Sequence, residues 1–191
     1  MANNIQLKKI FLRILIGSLS ASALVGIIIF LLGKFGDIEE KILATTLVIG
    51  ACSLLGLCNT SIFQKEKVRW LGVTGVALSV TALIYSLALI WVHNDSRVVM
   101  RIFASLIIWT VTVSHICLLL LINCADSIVK KVLNAAIVFI LTVSVMLSII
   151  VWADKITNDF YFRLLGVFAI LDVLGTIVTP ILNKVQSVKH H

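Results

Sequence analysis

Six stretches without a charged residue divide this sequence almost from end to end, at 14–33, 42–64, 71–92, 102–125, 132–153 and 164–183, the last interrupted by Asp172. They contain 20, 23, 22, 24, 22 and 20 residues, 131 of the 191 in the chain. A helix rising about 1.5 Å per residue needs roughly 20 residues to cross a hydrocarbon core of about 30 Å. In lipid every backbone N–H and C=O must be paired within the segment, so each stretch is expected to be helical despite its many Val, Ile and Thr residues. A membrane barrel would need strands of about ten residues with strict alternation, and the sequence has no such pattern. The expectation is an all-α, polytopic membrane bundle of six transmembrane helices.

Composition agrees. The chain is 60% hydrophobic and 13% charged, with a mean hydropathy of +1.13. A soluble domain is about 45–50% apolar and about 25% charged. Such a chain cannot clothe its surface for water, but it suits lipid. Outside the six stretches lie 60 residues, 191 less 131, and the longest loop, 154–163, has ten. A separately folding domain typically takes at least about 50, so residues 1–191 are expected to form one transmembrane domain. Lys8, Lys9 and Arg13 before the first stretch and Ala21-Ser22-Ala23 within it resemble a secretory signal. The apolar run continues past the usual length of such a signal, and it is read as a retained helix.

Charge sets an expected orientation. The N-terminus, loops two–three and four–five and the C-terminus carry ten basic residues, and the opposite side carries six. The positive-inside rule then puts both termini in the cytoplasm, as for a plasma or inner membrane protein. Trp70, Trp91, Trp152 and Tyr161 stand at span ends, where an amphipathic ring suits the headgroup level. No loop holds five or more basic residues. The surplus is therefore assigned to topology and anionic lipid, and no nucleic-acid partner is expected. The expected partners are the bilayer, and copies of this chain or other membrane subunits.

Small residues recur at four-residue spacing, as Ser18, Ser22 and Gly26; Cys52, Gly56 and Thr60; Gly75 and Ser79. Such ladders let helix backbones approach closely. Spans two, four and six are expected to turn the more polar faces inward. Asn59, Asn123 and Asn134 fall near span ends and are expected at the interface. Cys52, Cys58, Cys117 and Cys124 lie six or seven residues apart within their pairs, without a CxxC motif. With one histidine inside the spans, neither metal nor another cofactor is expected. The terminal His190–His191 pair resembles a purification-tag remnant and receives no metal reading.

Two residues carry the chemical interest. Asp172 is the only charged group deep within a stretch. An acidic side chain at mid-membrane costs about 2.5–3.5 kcal/mol on insertion scales, so it should face protein or water. Asp172, Gly175, Thr176 and Thr179 follow i, i+3, i+4, i+7 spacing and share one helix face. Pro180, the single proline, has no N–H for the Thr176 carbonyl and is expected to kink or loosen the helix. In span four, Arg101, Ser105, Thr112 and His115 form one polar stripe. Counted from the span starts Arg101 and Arg163, His115 stands five residues deeper than Asp172, about 7–8 Å. An Asp172–His115 relay then needs tilt, side-chain reach or water, and Thr110 is the residue level with the carboxyl.

No nucleophile–base pair or phosphate-cradling loop motif is present in the sequence, so catalysis is disfavoured. Two classes remain. The one that needs fewer assumptions, and is taken first, is a non-catalytic packing, assembly or partner-binding module. The other is a small channel or a proton- or cation-coupled secondary transporter using Asp172 and His115.

Overall fold

The computed structural model describes residues 2–32, 36–92, 96–122, 127–153 and 159–189. Six α-helices follow one another: α1 (Ala2–Leu32), α2 (Asp37–Thr60), α3 (Arg69–Trp91), α4 (Arg97–Leu120), α5 (Ser127–Trp152) and α6 (Asp159–Lys189). Two short 3-10 turns, Ser61–Gln64 and Glu66–Val68, join α2 to α3. Among the described residues, α3 to α6 and the α2 segment are long and apolar enough to cross a membrane, whereas the apolar part of α1 is the shorter Leu12–Ile28. The protein is an all-α membrane bundle.

Each helix packs along its neighbour in sequence, and α2 also meets α4. The centre is therefore α2, α3, α4 and α5, with α1 resting on α2 and α6 resting on α5. Between α4 and α5 the packing is aliphatic: Ile116 and Leu119 meet Leu133, Ala136 and Ile140.

The α2–α3 contact works differently. A Cβ built on Gly72 would stand 2.7 Å from the Asn59 carbonyl oxygen and 2.8 Å from both Ile62 and Phe63. One on Gly75 would run into the Asn59 amide, which donates to the Ser79 hydroxyl at 3.2 Å. Asn59, expected near the interface from its place at a span end, is fully buried between the helices. The missing glycine side chains create the slot that holds it. Of the other two asparagines, Asn134 is exposed and Asn123 lies outside the described residues.

The small-residue ladders are used unevenly. Ser18 fits against Gly50 of α2, whereas Gly26 has nothing within 4 Å of a Cβ position. Cys52, Gly56, Thr60 and Ser79 are all buried. α3 joins spans two, four and six in turning polar residues inward. α3 buries Ser79 and Ser86, while α6 is the least buried of the five long apolar helices. A helix packed mainly against one neighbour, α5, has little face to bury, however polar its sequence.

At one end of the bundle, α4 stops at Leu120, before the end of its apolar stretch at 125. Lys65 caps this end. Its ammonium donates to the carbonyls of Leu120 at 2.7 Å, Leu121 at 3.1 Å and Ile122 at 3.4 Å. These are carbonyls that a helix end leaves without intrahelical partners, and a cation suits the negative end of the helix dipole. At the other end Trp152 donates its indole N–H to Ser105 at 3.0 Å. Tyr161 likewise donates to the Met146 carbonyl at 2.7 Å.

Candidate functional site

Most hydroxyls in the bundle are occupied by their own helix. Ser53, Ser79, Ser86, Thr110 and Ser114 each donate to the carbonyl four residues earlier. This back-bonding lets a hydroxyl live in lipid at little cost. Thr110, the residue expected to be level with Asp172, is fully buried and does not line the cleft described below.

A different arrangement joins α4, α5 and α6. The Thr112 and Ser144 hydroxyls lie 2.6 Å apart across α4 and α5, both buried. His115, one turn beyond Thr112, places Nε2 3.0 Å from the Thr176 hydroxyl on α6. Thr176 also donates to the Asp172 carbonyl oxygen at 2.9 Å. Its single proton is then committed, and the histidine must supply the other, donating from Nε2. The bond to Thr176 thus calls for a proton on Nε2.

These residues border a cleft of about 260 Å³. Its polar lining is Thr112, His115, Ser144 and Asp172. The remainder is aliphatic: Ile107, Ile108 and Val111 from α4, with Ile140, Val143 and Leu147 from α5. Asp172 Oδ1 is buried and has no hydrogen-bond partner among the described residues. Burying a carboxylate oxygen without a partner is costly, so this atom marks the place where a proton or a cation would be most strongly held.

The structure thus brings Asp172, His115, Thr112 and Thr176 to one place. The depth difference expected between His115 and Asp172 is met by Thr176, one turn along α6 and close to His115 in depth. Ser144 was not visible as a site residue, because nothing in the sequence aligns span five with span four. Thr179 belongs to the packing: it is fully buried and donates to the Gly175 carbonyl at 2.6 Å. Gly175 itself lies against Ala136 of α5. α6 runs on through Pro180, which is exposed on its outer side.

Cys52, Cys58 and Cys117 are free, and Cys124 lies outside the described residues, as do His190 and His191. No cluster of three or more His, Cys, Asp or Glu suited to a metal ion occurs among the described residues. No known protein family, curated protein or solved structure matches the chain.

The Thr112–Ser144 contact has a measurable worth. Interhelical hydrogen bonds in membrane proteins average about 0.6 kcal/mol, with a maximum near 1.7. A double-mutant cycle of Thr112→Val and Ser144→Ala in detergent unfolding is expected to return a coupling of that order. A coupling indistinguishable from zero would show that the two hydroxyls are held by their own helices alone.

Proposed function

We propose that this chain is a small channel or secondary transporter in which the α4–α5–α6 cleft takes up a proton or a small cation at Asp172. The dehydrated, unpartnered Oδ1 of Asp172 beside His115 is the observation that carries the reading. A carboxyl at mid-membrane is expensive and persists where it is used. His115 offers a second proton site within the same cleft, and Thr176 ties it to α6. The protein is read as non-catalytic. Its orientation follows from the basic residues, with both termini cytoplasmic and α1 as the sixth span.

The test uses purified protein in liposomes containing a pH-sensitive dye. Wild type should dissipate an imposed pH or cation gradient, and Asp172→Asn should lose at least about 90% of that flux while eluting as a monodisperse species. Equal flux in the two proteins removes the proposal.

A second reading rests on the outer side of α6, where Ile170, Val173, Ile177 and Ile181 are each more than half exposed. A non-catalytic assembly subunit would cover this row with a copy of itself or another membrane subunit. On that reading, mild-detergent extracts contain a larger complex that Ile177→Trp disrupts, and Asp172→Asn changes nothing.

A further inference from the structure

Two features of the cleft restrict its occupant further than charge alone. The first is ligand number. A bare metal cation stripped of water needs several oxygen ligands, about six or more for calcium or magnesium. The cleft offers fewer: the two oxygens of one carboxyl and the hydroxyl oxygens of Thr112 and Ser144. The second is the wall. Six aliphatic side chains surround the polar group, and two of them, Val111 and Leu147, reach the outer surface of the bundle at 48% and 36% exposure. The cleft is therefore bordered by the lipid-facing surface.

An apolar chamber with one carboxylate at its back and a lipid-facing rim is complementary to a molecule with an apolar body and one cationic N–H group. We infer that the cleft binds a hydrophobic ammonium ion, a protonated amine that enters from the bilayer and places its charge beside the Asp172 carboxylate. This deepens the reading of Asp172 as a cation site and rests on it. At about 260 Å³ the cleft lies just under the roughly 300–1,000 Å³ of pockets for drug-sized ligands, so the ligand is a small amine. The ammonium and a proton compete for one carboxylate, which is how a proton gradient would drive such a molecule. The titratable group facing Asp172 from α4 is His115, and the α5 residues of the wall are Ile140, Val143, Ser144 and Leu147, none titratable. A proton taken up by the Asp172 carboxylate removes the charge that holds the ammonium, so ammonium binding competes with protonation there.

The probe is 1-adamantylamine, with the uncharged 1-adamantanol as its shape control, titrated calorimetrically into detergent-solubilised protein and into empty micelles. The amine is expected to bind at least roughly tenfold more tightly than the alcohol, because an uncharged ligand leaves the buried carboxylate without a partner. Asp172→Asn should remove that preference. Val143→Phe, which fills the chamber and retains the carboxyl, should weaken the amine at least tenfold. Lowering the pH should weaken the amine and leave the alcohol unchanged. Equal binding of amine and alcohol, or amine binding that survives Val143→Phe, overturns the inference. If that happens while Asp172-dependent proton flux persists, the transport proposal stands and only the ammonium assignment falls. If the amine preference holds while flux is insensitive to Asp172→Asn, transport falls and the binding site stands.

Discussion

Gly72→Val is expected to cost the bundle about 3 kcal/mol and to lower its unfolding midpoint in detergent by roughly 6–12 °C. The cause is the nature of the obstacle. A side chain at Gly72 meets the Asn59 carbonyl oxygen at 2.7 Å, and this oxygen belongs to the α2 backbone. It cannot swing aside as a flexible side chain would, so α2 and α3 must separate. Separation loosens the buried Asn59–Ser79 contact at the same time. Gly166→Ala is the matched control, because a Cβ there meets nothing within 4 Å. It should be neutral, or stabilising by up to about 1 kcal/mol through helix propensity. Thermal unfolding followed by circular dichroism separates the two. A Gly72→Val protein melting with wild type would mean that α2 and α3 do not pack this closely.

Lys65→Met is expected to cost about 2 kcal/mol, in the range of hydrogen bonds made by a charged donor. It preserves the apolar stem and removes the ammonium that holds the carbonyls of Leu120, Leu121 and Ile122. The loss should be local before it is global. The amides of Leu121 and Ile122 donate to Leu118 and Leu119 at 3.2 Å, and they should exchange with solvent faster once the last turn of α4 frays. Hydrogen exchange read by mass spectrometry is the measurement, with Lys65→Arg as a partial rescue. Unchanged exchange in this segment would mean that the α4 end is held by packing alone.

These two residues also show where the sequence stopped being legible. Gly75 and Ser79 were recognisable as a close-packing ladder, because the signal is spacing on one helix. Their partner was not, because Asn59 lies on another helix at a depth that only the docked pair defines. Lys65 read as one of ten basic residues that orient the chain. Its contact with α4 spans 55 residues of sequence and depends on the turn after α2 folding inward, with Ile62 completely buried.

The candidate site divides in the same way. Asp172 and His115 stood out because lipid penalises them, and the helix count followed from bilayer thickness. Their depths followed too. Counting from the basic residues that open the spans matched Asp172 with Thr110, and Thr176, one turn on from Asp172, accordingly meets His115; which way each helix is rotated did not follow. The apolar wall could not be read at all, since Ile107, Ile108, Ile140 and Val143 look like any other aliphatic residues until three helices converge.

Because every helix rests on the one made just before it, the bundle can be laid down as a ribbon in order of synthesis, each hairpin closing before the next emerges. Contacts local in sequence favour quick and orderly assembly. α6 follows α5 and adds Asp172 to walls that α4 and α5 have already raised. Until it docks there is no carboxyl in the chamber, so a chain halted after α5 would hold an inert hollow. The chamber gains its charge only when the sixth helix closes on it.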